Sequence, residues 1–140
     1  MGEQSPWLYL DREVTAEDTA GFQGYVYLIT CLVNGKGYIG KKFLLKPKTR
    51  IVKGKKKKTT IASDWMSYWG SSYELLEDIK LLGIENFKRE ILHFCKTKTD
   101  AAYWELREQI DRRVMESDEY YNSFIFVRVR KKHLKSFLCT

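Results

Sequence analysis

A chain of 140 residues is one domain's worth of protein, and 44% hydrophobic, 14% aromatic and 31% charged residues suit a real core while excluding a disordered tail or a collagen-like fibre. No run of about 18 apolar residues exists, so a membrane-crossing helix is excluded and no membrane partner is expected. Lys plus Arg number 25 against 18 Asp plus Glu, and the resulting +7 favours polyanions, nucleic acid before acidic lipid. Cys31, Cys95 and Cys139 show no CxxC spacing, and His93 and His133 are the only histidines, so neither a disulfide framework nor a zinc site is expected. The N-terminus Met1-Gly2-Glu3-Gln4 has no basic or apolar leader segment, which predicts a cytoplasmic location.

Charge divides the chain. Residues 1–20 carry five acids against the single base Arg12, an acidic N-terminal arm; Lys41 to Lys58 carries ten bases and no acid, a basic loop over 41–60. No acid follows Glu119, and 129–140 is a basic tail. Between these segments, Gly24–Cys31 is aromatic and β-branched and runs into Asn34-Gly35, a hairpin signal because both residues tolerate positive φ; Gly37–Phe43 returns as the second strand. Residues 46–61 cannot bury their charges and are predicted to be a solvated loop. A helix is expected to start at Ser71 or Ser72, with Ser71 and Glu74 in capping-box spacing, Leu75, Ile79 and Leu82 on one face, and Gly83 as its stop. Phe87–Phe94 reads as a third strand. Thr99 or Asp100 should cap a second helix to about Met115, with Tyr103, Leu106, Ile110 and Val114 as its buried stripe, and Tyr120–Val129 should end the domain as an extended segment. No internal repeat is visible. A hairpin followed by helix, strand and helix is a mixed α/β (α+β) order that argues against a doubly wound nucleotide-binding fold.

The hairpin is the densest chemical feature. Tyr25 and Tyr27 alternate onto one face, and hairpin pairing brings Tyr38, eleven positions after Tyr27, beside them. Taken alone this is an aromatic core cluster. Gly40, which permits close approach, and the ammoniums of Lys41 and Lys42 make it resemble a phosphate site.

Tyr25-Val26-Tyr27 and Tyr38-Ile39-Gly40 resemble the two signature motifs of the GIY-YIG nuclease superfamily, and the likeness runs on through Phe87–Leu92, Glu105 on the following helix and Asn122 in Tyr120-Tyr121-Asn122. YVYLI, YIGKKF, SDWMSYWGSS, YWELREQ and YYN are similar to the phage-encoded, free-standing Seg-type branch, so the resemblance covers roughly residues 20–128. It implies a small domain over 21–128 with a central three-stranded antiparallel sheet flanked by helices and an extra C-terminal strand or tail. It also implies a phage-infected bacterial host cell as the setting. Two positions depart from the pattern. Tyr25 stands where the family has glycine, and the arginine expected about ten residues past Tyr38 falls at Lys48, leaving Lys42, Lys48 and Arg50 as its substitutes.

The implied activity is metal-dependent DNA endonuclease or nickase chemistry. Tyr27 or Tyr38 would take a proton from water, and Glu105 would hold Mg²⁺ (or Mn²⁺), a hard cation suited to one carboxylate, waters and phosphate oxygens. A phenol of pKa near 10 needs a cationic field to act at neutral pH, which the Lys41–Arg50 stretch would supply. Asn122 would orient substrate or fix a tyrosine. Glu108, one turn beyond Glu105, is expected to pair with Arg112 instead. The aromatics of 64–72 would clamp the basic loop to the core, and Ser71 or Ser72 at a helix N-terminus would hold a DNA phosphate. Lys41, Arg50 and the run Lys55, Lys56, Lys57, Lys58 are expected to contact DNA, the lysine run as a mobile steering patch, with Arg130, Lys131 and Lys132 acting similarly. The rival readings are a catalytically silent nucleic-acid-binding module on the same fold and an RNA-binding domain. With little chain outside the core, a long recognition site would require a homo-oligomer or a partner.

Overall fold

The computed structural model describes residues 5–125. Seven strands and two α-helices follow in the order β1 (Trp7–Tyr9), β2 (Arg12–Glu13), β3 (Gly24–Cys31), β4 (Gly37–Phe43), β5 (Leu45–Val52), β6 (Lys55–Ala62), α1 (Tyr73–Leu82), β7 (Phe87–Cys95) and α2 (Lys98–Asp111). Strands β2-β1-β7-β3-β4 form one sheet, and β5-β6 form a separate two-stranded ribbon. The antiparallel trio β7-β3-β4 is the three-stranded centre anticipated from the sequence. Beyond it, β1 adds parallel to β7, and Trp7 and Val14 enter the core, so residues 7–14 of the acidic arm are woven into the domain.

Alternation along β3 sorts the core. Tyr25, Tyr27, Ile29 and Cys31 point to the face covered by α1, with Trp7, Trp65, Leu75 and Phe87. Val26 points to the opposite face with Ile39, Cys95, Ala101 and Val114, covered by α2. Burying a side chain such as Ile29 or Leu75 contributes about 1.5–3 kcal/mol each. Ser72 is the N-cap of α1, its Oγ accepting from Leu75 N at 3.3 Å, and Gly83 at φ 94° ends the helix. Thr97, and not the expected Thr99 or Asp100, caps α2 by accepting from Asp100 N, and the helix ends at Asp111, short of the expected Met115.

Three further expectations need correction. Residues 46–61 are not a loop: the lysine-rich stretch is the β5–β6 ribbon, closed by Lys53 and Gly54, both at positive φ. A ladder needs only backbone partners, and with Thr49, Ile51, Val52, Thr59 and Ile61 favouring extended backbone it forms with nearly every side chain in water. The predicted stripe of α2 is also wrong in part: Ile110 is 56% exposed, whereas Ala101 and Gln109 are buried against the sheet. That helix face stays polar where Glu105 and Gln109 line a cleft. The hairpin turn uses positive φ only at Gly35, with Asn34 Oδ1 accepting from Lys36 N. Of the expected final extended segment, Tyr120 forms a parallel bridge with Gly37, while 126–129 and the basic tail lie outside the described residues.

Candidate active site

Strand β4 ends the main sheet, so its outer backbone edge has no neighbouring strand. The chain around 119–122 covers it instead: Gly37 N donates to Glu119 O, Tyr121 N donates to Gly37 O, and the Asn122 carboxamide serves Ile39 twice, accepting from its N–H at 3.0 Å and donating to its carbonyl at 2.8 Å. Gln109 of α2 donates to the same carbonyl at 3.3 Å. These bonds fix the backbone between Tyr38 and Gly40, and Asn122 has both ends of its amide committed to that task.

A cleft of about 540 Å³ opens along this edge. Tyr38 reaches it from the α1 face, and Lys41 and Glu105 from the α2 face, because alternate residues of β4 project to opposite sides. Tyr38 Oη lies 3.3 Å from Ser71 Oγ, and Lys41 Nζ lies 3.1 Å from Glu105 Oε1, whose side chain is only 15% exposed. Ser72 and Glu74 also line the cleft, Glu74 paired with Lys36 at 3.1 Å. Tyr121 closes it from below, its hydroxyl donating to Asp78 Oδ2 at 2.7 Å.

Tyr27 sits behind this surface, 1% exposed, with its ring 6.1 Å from Tyr38 and edge-on to Trp7 and Tyr68. It is the direct cross-strand partner of Gly40, and a Cβ there would fall 2.5 Å from its hydroxyl oxygen. The glycine is required by that close approach. Tyr25 is buried beside it, with a hydroxyl that meets no hydrogen-bond partner. The environment raises all three phenols, contrary to the lowering expected of Tyr27 or Tyr38. Burial is the main cause for each, joined for Tyr27 by the neighbouring phenols and for Tyr38 by the Tyr68 phenol and then Glu105, while the Ser71 bond partly offsets the rise at Tyr38. The lysine field expected to lower them is spent elsewhere: Lys41 faces Glu105, and Lys42 pairs with Asp64 at 2.7 Å over the Tyr68 ring.

Of the three substitutes considered for the family arginine, none lines the cleft: Lys42 is at the ribbon's stem, and Lys48 and Arg50 are on β5. Lys41 is the base that does. Lys55, Lys56, Lys57 and Lys58 are exposed on β6, and Arg130, Lys131 and Lys132 lie outside the described residues. Glu108 bonds both Arg112, at 2.8 Å, and His93, at 2.7 Å, which hold its carboxyl below the usual range. The sequence reading missed Gln109, although it falls one turn after Glu105 and so shares its helix face, and missed Arg89. That guanidinium, 4% exposed, donates to the carbonyls of Ser5, Met66 and Tyr68 between the rings of Trp7 and Trp69, bracing the segment that carries Tyr68. Burial lowers it to about 10, so it remains charged at neutral pH.

Among the described residues no group of three or more His, Cys, Asp or Glu side chains could hold a metal, and no helix is long and apolar enough to cross a membrane. A lone carboxylate still fits a hard cation that takes its remaining oxygens from water and phosphate. The protein's contribution to such a donor set would be the single carboxylate of Glu105, which is ion-paired with Lys41 at 3.1 Å.

Comparison with curated proteins and with solved structures returned no match. The family model described as "Putative endonuclease segE, GIY-YIG domain" matches residues 7–125, which span the sheet, both helices and the cleft. The chain belongs to the segE-type GIY-YIG endonuclease family.

Proposed function

We propose that the β4-edge cleft hydrolyses phosphodiester bonds of DNA with Tyr38, as the phenolate left once its own hydroxyl proton has passed to solvent, as the group that takes the attacking water's proton. The observation that carries this reading is the convergence of Tyr38, Lys41 and Glu105 in one cleft on a strand fixed by Asn122 and Gln109. Lys41 would donate to a non-bridging phosphate oxygen, and Ser71 would orient the Tyr38 hydroxyl. Glu105 would hold Mg²⁺ or Mn²⁺, which when bound supplies positive charge to the phosphate and the leaving oxygen. Tyr27, out of contact with solvent, supports the Tyr38 ring and takes no proton.

The test is cleavage of supercoiled and branched DNA with Mg²⁺ and with EDTA. Glu105→Gln should abolish cleavage while duplex binding is kept or tightened, since it removes a cation ligand and a charge that repels phosphate. Tyr38→Phe should lose on the order of 10² or more in rate, the usual range for a general base, and Tyr27→Phe far less. DNA bound but never cut by the unaltered chain would favour the silent binding module, and a fully active Tyr38→Phe would remove the phenol from the mechanism.

A further inference from the structure

The ribbon's register separates its basic residues into two unlike faces. Residues directly opposite in an antiparallel pair share a side, and successive residues alternate. From the pairings Lys46↔Ile61, Lys48↔Thr59, Arg50↔Lys57 and Val52↔Lys55, one face collects Lys46, Lys48, Arg50, Lys55 and Lys57. The other, from Leu45↔Ala62, Pro47↔Thr60, Thr49↔Lys58 and Ile51↔Lys56, holds only Lys56 and Lys58, near the tip. The ribbon contains no acid, and Arg50 stands directly opposite Lys57, a like-charge pair that opposes strand pairing unless an anion lies across it.

The stem is anchored. Leu44 is 3% exposed, Ser63 N donates to Leu44 O at 2.8 Å, Ser63 Oγ donates to Phe43 O at 2.6 Å, and Lys42 bridges to Asp64. Strand β4, which carries Tyr38 and Lys41, therefore runs through a fixed joint into the ribbon.

We infer that the β5–β6 ribbon enters the major groove of duplex DNA with its five-base face toward the base edges, as a rigid reading element and not a mobile steering patch. Two strands about 4.8 Å apart, each about 26 Å long at ~3.3 Å per residue, suit a groove about 12 Å wide that admits a two-stranded ribbon. Arg50, Lys48 and Lys57 at the centre of that face offer the donors that pair with guanine O6 and N7, with Lys46 and Lys55 flanking them for phosphates. An A-form RNA duplex has a deep, narrow major groove that excludes such a ribbon. The inference rests on the reading of the cleft as a DNA-cleaving site, whose substrate it places.

The experiment compares two charge-matched variants of the full chain on a duplex of about three turns in EDTA. Lys55→Ser with Lys57→Ser empties part of the five-base face, and Lys56→Ser with Lys58→Ser removes as many charges from the same strand on the other. The first pair should reduce the slope of log affinity against log salt by about 0.9, for the one phosphate contact assigned to Lys55, and, through Lys57, lose protection of guanine N7 from dimethyl sulfate. The second should change the slope by less than half as much and keep the protection. Lys48→Gln with Arg50→Gln on the facing strand should repeat the loss of N7 protection, and melting curves check that each variant is folded. Equal effects of the two pairs, bound duplex without N7 protection, or double-stranded RNA competing as well as DNA would each overturn the ribbon reading. Equal effects in a chain that cleaves DNA would sink the ribbon alone. Face-dependent N7 protection in a chain that never cleaves would sink the nuclease reading and leave the ribbon standing.

Discussion

Gly40→Ala adds one methyl group at the most crowded point of the site. The new Cβ would stand 2.5 Å from Tyr27 Oη, 2.7 Å from its Cζ and 3.0 Å from Tyr38 Cε2. Ordinary contact at about 3.5 Å would require the Tyr27 ring to move by the better part of an ångström. That ring is 1% exposed and wedged against Trp7 and Tyr68, so it has nowhere to go without displacing them. Overpacking of this kind costs about 1–3 kcal/mol. With an unfolding entropy of about 2.1 cal/mol/K per residue, the corresponding fall in Tm is about 3–10 °C. The assay is thermal melting of the wild type, Gly40→Ala, Tyr27→Phe and the double variant. Removing Oη relieves the shortest contact, so the double variant should be more stable than the two single effects predict, by at least about 0.5 kcal/mol. A Gly40→Ala protein that melts with the wild type, or strictly additive effects in the cycle, would refute the argument that this glycine exists to admit the tyrosine.

Three further outcomes are expected. Tyr25→Phe should raise the Tm, because it removes a buried hydroxyl that has no partner, a burden of about 1–3 kcal/mol, while keeping the ring; a lower Tm would mean that the hydroxyl is satisfied. Asn122→Asp should destabilise the fold by about 1–3 kcal/mol, since a carboxylate oxygen would replace the amide that donates to Ile39 O and face that carbonyl unpaired; an unchanged denaturant midpoint would show that β4 does not depend on it. Alkaline titration should unfold the protein above pH 10. Tyr25, Tyr27 and Tyr38 have folded pKa values above 10, so they keep protons that the unfolded chain releases, and their contribution is complete below pH 10 and lost as pH rises, by about 1.4 kcal/mol per pH unit for each fully buried phenol. A stability plateau to pH 12 by circular dichroism would contradict it.

The parts of the fold that obey a period were legible in the sequence. Gly24–Cys31 and Gly37–Phe43 showed strand alternation around a glycine turn, and Leu75, Ile79 and Leu82 marked the face of α1. The ribbon was misread because its composition speaks only of solvation, and a solvated segment can still be a strand when its ladder requires no buried face; the Lys53-Gly54 turn and the clustered Thr, Ile and Val were the available signals. The α2 stripe was misassigned because apolar spacing identifies a core face only where the helix covers core. Here the inward positions include Gln109 and Glu105, which serve the cleft, and Ile110 is left in water. Tyr38, Glu105 and Asn122 could be named from motif spacing. Their grouping around one strand edge, and the exchange of partners that puts Lys41 on Glu105 and Lys42 on Asp64, depend on which side of β4 each residue projects, a property of register that no single segment contains.

A two-stranded ribbon consists of nothing but edges. Both outer flanks of β5 and β6 present unpaired amide and carbonyl groups, the arrangement by which separate molecules join into extended sheets. Here Pro47 removes one donor, and the crowd of ammonium groups makes two copies repel before their backbones can meet. The same lysines that suit a polyanion therefore act as the protein's guard against self-association, and that guard weakens wherever the charge is neutralised. A purification that strips nucleic acid at high ionic strength would leave the ribbon open to edge-to-edge stacking. Solubility and partner binding are thus two uses of one set of charges.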